Sequence, residues 1–400
     1  MTYRKSDARS QPSDGLIPLL RATNITATLN LESDLVYVPT GVVKVQQCLR
    51  RGDVVVAASS GSVSVVGKSA PVKREWLGTF GAFCSTIRPK PVIDPDFLAL
   101  FLSSDAVRRR WSAAARGTNI NNLKSSDLLS TPVPLPSISE QRRIVDILDD
   151  HLSRLEAAGG SLQASLRRTQ ALDRSLLNHA IESLMEKGVP ARTVNSLCET
   201  ALGKMLDSKK AGGRPTPYLR NINVRWGTFA LSDVKLVNLT EQERYAFAVK
   251  PGDLLVCEGG EPGRCAVWNH GEMKVAFQKA LHRVRPRNTA ATNIDYVALC
   301  LEQSIRSGRA NRFFTGTTIR HLPQEKLRSI EIPFPGPVEQ MRVVQTVQGQ
   351  RESLDRFTAQ ARRAATSSSA IKRALLEAAF SGRLTGHSSD LDVAAQMAGI

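Results

Sequence analysis

The feature that most constrains this 400-residue chain is an internal repeat with an offset of 199 residues. The stretch PSISEQRRIVDIL at 136–148 returns largely as PGPVEQMRVVQTV at 335–347. The aliphatic run FLALFL at 97–102 corresponds to YVALCL at 296–301. Matches at one offset over most of each half indicate a tandem duplication, so the chain must build one architecture twice.

Each copy opens with a globular part for which the sequence predicts strands mixed with helix. Turn-type Gly-Asp pairs lead into β-branched or aliphatic runs at RGDVVV (51–56) and PGDLLV (251–256). Helices are predicted after Asp94 or Asp96 in the first copy and after Asn293 in the second, because these residues suit N-caps. The predicted fold class is therefore α+β.

Each copy then continues into a long helix. Prolines in PVPLPSISEQ block a helix before Ser137 or Ser139 can cap one, and no proline follows until Pro190. Apolar residues recur at steps of mainly three, four and seven, which is the narrow stripe of a coiled coil. The stripe comprises Ile144, Leu148, Leu152, Leu155, Leu162, Leu166, Leu172 and Leu176, then Val343, Val347, Leu354, Ala361, Ile371 and Leu375. About 45 residues give each helix a length of roughly 65–70 Å.

A helix with so narrow an apolar stripe needs a partner. We expect that partner to be the other copy, in an antiparallel coiled coil that holds two globular domains apart with pseudo-twofold symmetry. Parallel packing would put both domains at one end; packing on its own domain and an intermolecular dimer are further alternatives. The predicted boundaries are globular domains at 1–131 and 189–331, helical regions at 132–188 and 332–388, and a C-terminal tail at 389–400.

The net charge is +17, which indicates a polyanionic partner such as nucleic acid or an anionic membrane surface. Lysines and arginines exceed acids in both halves, 25 to 19 in residues 1–200 and 29 to 18 in residues 201–400. Each copy is therefore expected to touch the polyanion. Basic surface kept for solubility is the alternative.

The remaining bulk features favour a cytoplasmic protein. The polar N-terminus is not that of a signal peptide, and the longest apolar run, FLALFL, is too short to span a bilayer. Six cysteines without a CxxC spacing are typical of reduced core thiols, and no metal site is predicted.

The residues at the helix starts carry a family resemblance. The matched set is Pro134, Pro136, Glu140, Gln141, Arg143 and Ile144, then Pro333, Pro335, Glu339, Gln340, Arg342 and Val343, with the ending Leu375-Leu376 and AFSGRL at 379–384. In this twofold order the chain resembles the DNA-specificity subunit of type I restriction–modification systems, over nearly its whole length. The resemblance implies two target-recognition domains alternating with two conserved helices.

The resemblance also implies a function and partners. The chain would be non-catalytic and hold no cofactor. It would bind double-stranded DNA at a two-part asymmetric sequence, one part per domain, with an unspecified spacer set by the helices. It would recruit two methyltransferase subunits and optionally two restriction subunits. S-adenosylmethionine, ATP and Mg²⁺ would belong to those partners.

The candidate DNA contacts fall into two groups: residues that are the same in both copies and residues that differ between them. Matched residues such as Arg21 and Arg220 suit framework or phosphate contacts, which position a protein on DNA. Divergent residues suit base edges, which specify sequence. Those candidates are Lys68, Lys73 and Arg74 in the first copy, and Lys204, Lys209, Lys210, Arg214, Gln278, Lys279 and His282 in the second. Solvated surface is the alternative for each.

The candidate methyltransferase interface is Glu140, Gln141 and Arg143 with Glu339, Gln340 and Arg342. The alternative is structural, because acids in a first helical turn suit the helix dipole.

One departure from the family pattern concerns the first copy. The second copy has a long segment, RTVNSLCETALGKMLDSKKAGGRPTPYLR at 192–220, before the matched Leu-Arg pair. The first copy has about 19 residues there, so we expect its domain to lack an opening strand. There are two alternatives. The given sequence starts later than the true one, or a segment from elsewhere in the fold supplies the strand.

Two other function classes compete. A nuclease would use Asp253 with Glu272 and Lys274, but Asp253 recurs as Asp53 in a matched strand and is interpreted as turn architecture. A basic coiled-coil adaptor, or a DNA-binding protein without sequence preference, shares the charge and the helices; its binding would vanish with salt.

Overall fold

The structure is a computed structural model, which describes residues 4–26, 28–62, 64–115, 120–205, 212–271, 273–316 and 320–384. The chain divides into two compact units: unit 1 is residues 1–163 with 361–400, and unit 2 is residues 164–360. Each unit holds one copy's globular part and portions of both long helices. This division groups residues by their contacts and cuts through both long helices, whereas the predicted boundaries are consecutive segments of the chain. The predicted boundaries therefore stay predictions.

The strands of unit 1 form small sheets. They are β1 (Leu16–Leu20), β2 (Val36–Pro39), β3 (Val54–Ala57), β4 (Ser59–Ser60), β5 (Ser69–Pro71), β6 (Thr79–Phe80), β7 (Cys84–Ile87) and β8 (Asn121–Asn122). Strand β1 lies between antiparallel β2 and parallel β6, while β3 lies between antiparallel β5 and β7; β4 pairs with β8. All of β3 is buried, so the Gly-Asp turn leads into a central strand as predicted.

The helices that begin in unit 1 are α1 (Pro95–Ser103), α2 (Asp105–Ala114), α3 (Ser125–Leu129) and the long α4 (Ile138–Glu186). Asp94 caps α1, because its Oδ1 accepts from the backbone N–H of Asp96 at 3.0 Å and of Phe97 at 3.1 Å. Pro95 occupies the first helical position, where its missing N–H costs nothing. The prediction of Asp94 as an N-cap is confirmed.

The strands of unit 2 repeat the plan of unit 1. They are β9 (Ala191–Thr193), β10 (Cys198–Leu202), β11 (Arg214–Leu219), β12 (Val224–Arg225), β13 (Thr228–Phe229), β14 (Lys235–Leu239), β15 (Asp253–Cys257), β16 (Cys265–Trp268), β17 (Ala276–Phe277), β18 (Leu281–Pro286) and β19 (Glu331–Pro333). Like β1, β11 lies between an antiparallel strand, β14, and a parallel one, β17. Like β3, β15 is central and fully buried, with β16 and β18 beside it.

Five α-helices follow α4 in the described part of the chain. They are α5 (Val194–Leu197), α6 (Glu241–Ala246), α7 (Ile294–Arg306), α8 (Gln324–Arg328) and the long α9 (Pro337–Phe380). Asn293 caps α7 as Asp94 caps α1, since its Oδ1 accepts from the N–H of Asp295 at 2.9 Å and of Tyr296 at 3.2 Å. The two caps lie 199 residues apart, as the repeat requires.

The central sheets differ at one edge. In unit 2, β10 pairs along β18 from Cys198 opposite Pro286 to Leu202 opposite His282. In the described part of unit 1, the corresponding strand β7 has β3 as its one strand neighbour. This is the difference that the sequence predicted for the first copy.

The long helices pack against each other antiparallel within each unit. In unit 1 the start of α4 and the end of α9 share one core: Ile144, Val145, Leu148 and Leu152 with Ala374, Leu375, Leu376, Ala378 and Ala379. In unit 2 the end of α4 and the start of α9 share another: Leu177, Ile181 and Leu184 with Val343, Val344 and Val347. The predicted α+β class and the antiparallel helix pair are confirmed, and the parallel alternative is wrong.

Candidate nucleic-acid interface and docking residues

A buried aspartate fixes the turn before each central strand. Asp53 and Asp253 are each 1% exposed. Arg88 donates from Nε and Nη2 to the two carboxylate oxygens of Asp53 at 2.8 and 2.7 Å, and Arg285 does so to Asp253 at 2.7 and 2.8 Å. These hydrogen bonds raise the pKa of both guanidinium groups. The interpretation of Asp253 as turn architecture is confirmed, whereas sequence reasoning missed both arginines; Glu272 lies outside the described residues.

The matched arginines Arg21 and Arg220 each bind an aspartate thirteen residues on. Nη2 of Arg21 donates to Oδ1 of Asp34 at 2.6 Å, and Nη2 of Arg220 donates to Oδ2 of Asp233 at 2.7 Å. Hydrogen bonds from Arg220 and then Lys235 hold the pKa of the Asp233 carboxyl below its ordinary value. Both guanidinium groups thus already have an anionic partner.

A buried asparagine supports each of these arginines. Oδ1 of Asn24 accepts from the backbone N–H of Arg21 at 2.8 Å, and Oδ1 of Asn223 accepts from that of Arg220 at 2.9 Å. Each asparagine also donates from Nδ2 to the carbonyl oxygen of the aspartate, at 3.2 and 3.1 Å. These contacts fit the framework role predicted for the matched residues.

Three divergent candidates of unit 2, Lys204, Gln278 and Lys279, meet where β10 ends. The backbone N–H of Lys204 donates to the carbonyl of Phe277 at 2.9 Å, and that of Lys279 donates to the carbonyl of Lys204 at 2.9 Å. A Cβ at Gly203 would lie 2.4 Å from the carbonyl oxygens of Phe277 and Gln278, so the backbones approach this closely only at glycine. Arg214 stands at the start of β11.

The basic candidates of unit 2 differ in whether they already form an ion pair. The Lys204 ammonium pairs with Glu243, and this bond lowers the pKa of the Glu243 carboxyl. Arg214 and Lys279 are exposed, and neither has an ion pair in the described part of the chain. The two remaining lysine candidates, Lys209 and Lys210, lie outside the described residues.

His282 must be removed from the DNA-contact candidates. Its side chain lies in β18 with no exposed surface, and Nε2 is 2.8 Å from the carbonyl oxygen of Leu322. The carbonyl can only accept, so Nε2 carries the proton. Burial lowers the pKa of the imidazole, which keeps the ring neutral. The prediction was wrong because sequence cannot tell an inward-facing polar strand residue from an outward-facing one.

Two candidates of unit 1, Lys68 and Lys73, line a groove that contains both basic and acidic side chains. The groove encloses about 660 Å³ beside β5 and the two long helices. Its charged lining comprises Lys68, Lys73, Arg108 and Lys372 with Asp96, Asp149 and Glu156. Burial, aided by neighbouring acids, raises the pKa of the Asp149 carboxyl. Arg74 lies beside it and pairs with Glu32 at 2.8 Å, where both side chains are exposed.

The docking candidates at the helix starts separate into two kinds. Glu140 and Arg143 form a bidentate exposed pair, with oxygen–nitrogen distances of 2.9 and 2.7 Å. Glu339 and Arg342 form the same pair at the start of α9. The arginine hydrogen bonds lower the pKa of both glutamates, so both stay anionic at neutral pH. All four side chains are at least partly exposed.

Gln141 and Gln340 are not surface residues. Both are 0% exposed, and their amides bind backbone groups of their own unit. The prediction of a subunit-docking role for these two side chains is wrong as a direct contact, because no part of either can touch a partner. Sequence reasoning took the pair Glu-Gln as one surface, whereas adjacent residues on a helix point about 100° apart.

The part of the chain that the structure describes contains neither a metal-binding cluster nor a membrane-spanning helix. No group of three or more His, Cys, Asp or Glu side chains there is placed to hold a metal ion. All six cysteines are free, and burial raises the pKa of the five buried thiols, to about 12 for Cys84 and Cys198. Within the described ranges, no helix is long and apolar enough to cross a bilayer.

Comparisons with known proteins agree with one another. The family model described as "Type I restriction modification DNA specificity domain" matches residues 6–163. The chain is 28% identical over 403 residues to the type I restriction enzyme EcoKI specificity subunit of Escherichia coli (strain K12), covering 96% of this chain and 86% of that one. It is 27% identical over 400 residues to the StySPI specificity subunit of Salmonella potsdam, with the same coverage.

Solved structures share the fold. One chain, from work on complex assembly and conformational transition of the type I R-M system, superposes with a TM-score of 0.73 at 18% identity, covering 92% of each chain. The HsdS subunit from Thermoanaerobacter tengcongensis superposes with a TM-score of 0.56 at 17% identity, covering 92% of this chain and 91% of that one.

Proposed function

We propose that this chain is a specificity subunit of a type I restriction–modification system, and that each of its two units reads one half of a two-part DNA sequence. As a specificity subunit it is non-catalytic. The observation that carries the proposal is the twofold construction: each unit pairs a β-rich domain with its own part of an antiparallel helix pair. The two domains share framework and differ in exposed basic residues, so they suit two different half-sites on asymmetric DNA.

The proposed contacts follow the charge. Lysine and arginine side chains neutralise phosphates, and those that reach the major groove read guanine edges. In unit 2 the exposed residues Arg214 and Lys279 are the leading candidates, with Gln278 next to Lys279 in the chain. In unit 1 the candidates are Lys73 and Arg74, since both are exposed.

The long helices would set the spacer between the half-sites. At about 1.5 Å per residue, the 49 residues of α4 make a rod of about 73 Å, and ten base pairs of duplex occupy about 34 Å. A rod of that length suits a separation of a helical turn or more between half-sites. The bases between them would go unread.

The proposed partners are two methyltransferase subunits and, in a complete system, two restriction subunits. The methyltransferase subunits would bring S-adenosylmethionine, and the restriction subunits would bring ATP and Mg²⁺. The exposed pairs Glu140–Arg143 and Glu339–Arg342 are the proposed docking points, because one such pair per helix start would serve two identical partners. The complex would act in the cytoplasm, where its DNA is.

The test is co-expression with a cognate methyltransferase subunit in a methylation-free host, followed by long-read methylome sequencing. A split motif with modified adenines in both halves would establish the two-domain reader. One half-motif alone would mean that unit 1 reads nothing. A stable complex without methylation, and binding that vanishes with salt, would favour the basic adaptor.

A length change in the helices sharpens this test. Inserting one heptad in both helices, beside Leu162 and Ala361, adds about 10 Å to the rod, which corresponds to up to about three base pairs. We expect a longer spacer with both half-sites unchanged, because a whole heptad keeps the apolar stripe in phase. Recovering the original spacer from the methylome would show that the helices do not set it.

A further inference from the structure

The first turn of α4 contains a buried glutamine that ties the helix to its recognition domain. Oε1 of Gln141 accepts from the backbone N–H of Asp94 at 2.8 Å. Its Nε2 donates to the carbonyl oxygens of Val92 at 3.2 Å and Pro136 at 2.9 Å. The amide therefore joins the chain before α1, the proline segment before α4, and α4 itself.

The same contact occurs in unit 2. Oε1 of Gln340 accepts from the backbone N–H of Asn293 at 2.9 Å, and Nε2 donates to the carbonyl oxygens of Ala291 at 3.0 Å and Pro335 at 2.8 Å. In both units the residue that donates to the glutamine is also the N-cap of the following helix. One residue thus ends the loop that follows the central sheet (after β7 or β18), starts the next helix and binds the glutamine of the long helix. We call this arrangement the glutamine latch.

The latch satisfies every polar group that it buries. A primary amide has two donor hydrogens and a carbonyl oxygen, and all three find backbone partners here. Since the side chain is wholly enclosed, its loss would leave a backbone N–H and two carbonyl groups without partners. Neighbouring polar side chains on the same turn are exposed, so burial is specific to the glutamine.

We propose that Gln141 and Gln340 are positioning residues that hold each recognition domain at a fixed angle on its long helix, and that they set how strictly the spacer length is selected. This rests on the proposed function, in which the helices define the spacer. A small rotation at the helix start moves the far side of a domain by several ångströms, which is comparable with the 3.4 Å rise of one base pair. A stiff latch therefore rejects sites whose spacer is one base pair too long or too short.

Gln141→Met is the test variant, because methionine has nearly the same volume and no amide. The readout is the ratio of methylation at half-sites one base pair further apart or closer to methylation at the normal spacer. We expect the ratio to rise about tenfold, with both half-sites unchanged, because buried hydrogen bonds of this kind carry that much discrimination. Gln163→Met, at an exposed position of α4 in the same unit, is the matched control and should leave the ratio unchanged.

The second copy repeats the experiment independently. Gln340→Met is compared with Gln350→Met, an exposed position of α9 in unit 2. A purely structural glutamine would lower methylation equally at every spacer and leave the ratio unchanged, and that result would overturn the inference. Normal wild-type methylation at a split motif separates this failure from failure of the proposed function, in which no split motif forms at all.

Misfolding has its own signature. If Gln141→Met unfolded unit 1, the unit 1 half-site would disappear from the motif while the unit 2 half-site remained. Gln141→Asn then replaces it, because asparagine keeps the amide but is one methylene too short to reach all three backbone groups. A ratio raised less than in the methionine variant would support the latch; an unchanged ratio in folded protein would overturn it.

Discussion

Unit 1 and unit 2 pack their helices with different chemistry at the same places in the repeat. Unit 2 uses charge: Nη1 and Nη2 of Arg351 donate to the carboxylate of Glu302 at 3.0 and 2.9 Å, and its Nε donates to Asp173 at 2.8 Å. Arg306 contacts both acids from α7. Glu302 is only 4% exposed. Burial alone would lower the pKa of Arg351, but the two carboxylates outweigh it and raise that pKa.

Unit 1 has no such network at the corresponding positions of its described residues. The residues 199 positions away from Glu302, Arg351, Asp173 and Arg306 are Ser103, Leu152, Lys372 and Val107. Three of them, Ser103, Leu152 and Lys372, line the groove of unit 1. The place that unit 2 fills with four charges thus borders a groove in unit 1.

The helix ends differ in a second way. In unit 1 the ring of Phe380 meets Phe97 and Phe101 edge to face, with centroids 5.3 and 5.2 Å apart. The corresponding residues of unit 2 are Ile181, Tyr296 and Cys300. The Tyr296 hydroxyl donates to the carbonyl of Pro333 at 2.8 Å, a bond that phenylalanine cannot make.

The contrast shows which parts of a duplicated fold are free to drift. The glutamine latch, the Asp–Arg pair and the asparagine turns are the same in both units, because each satisfies backbone groups at fixed positions. The side chains between the helices do not have to satisfy backbone groups in this way. Any set of side chains is tolerated there if it fills the volume or if its charges are paired with one another.

The largest effect is expected from Phe380→Ala. The substitution removes a ring from the junction of α9 with α1 and should lower the free energy of unfolding by about 3 kcal/mol. Phe357→Ala on the same helix is the control, since Phe357 is 46% exposed and should cost well under about 1 kcal/mol. Urea denaturation with amide hydrogen exchange measures both. Equal losses in the two variants would refute an aromatic anchor confined to unit 1.

An intermediate effect is expected from Arg351→Met. It leaves buried Glu302 with Arg306 as its remaining cation and should cost about 2–3 kcal/mol, less than for a fully buried pair because Arg351 is 26% exposed. Lys372→Met is the comparison in unit 1, where Lys372 stands at the position that Asp173 has in unit 2. It breaks the 3.0 Å pair with Glu156, whose side chains are 39% and 65% exposed, and should cost about 0.5 kcal/mol. Thermal or urea unfolding that gave similar losses would mean that the two sites are equivalent.

The smallest effect is expected from Asp149→Gln, which places in unit 1 the residue that unit 2 has at Gln348. Because the pKa of the Asp149 carboxyl is raised in the folded state, the folded protein binds this proton more tightly than the unfolded chain does. The stabilisation that proton binding provides is present below the ordinary pKa of 3.8 and is lost as the pH rises through the raised pKa of the folded state. The neutral glutamine should therefore stabilise at pH 7, by about 0.3 kcal/mol after solvent screening, and give no gain at pH 3.

The control for this variant is Asp150→Gln. Asp150 is exposed and pairs with Arg154 at 3.0 Å, so its loss should slightly destabilise the protein at neutral pH. A gain of the same size in both variants would attribute the effect to general reduction of acidic charge rather than to the position of Asp149 in the groove.

Patterns that act over a few residues made much of the fold predictable. The N-caps Asp94 and Asn293, the buried Gly-Asp strands and the starts of both long helices all depend on local backbone demands. The repeat supplied the rest of the architecture, because one offset related caps, strands and helices across the chain. The site was less predictable: His282 and the two glutamines are polar residues that the fold encloses, and nothing in their immediate sequence differs from that of an exposed residue.

The sequence by itself determined that one α+β plan occurs twice, that two long helices need each other, and that the surface is basic. These follow from periodicity, capping and composition, which are properties of the chain. Only the tertiary structure decided that Arg88 and Arg285 clamp the buried aspartates, that four charges meet in unit 2, and that Gln141 and Gln340 face inward. These contacts join groups that lie about 30 to 180 residues apart in sequence. A local sequence pattern does not indicate which distant residues come into contact.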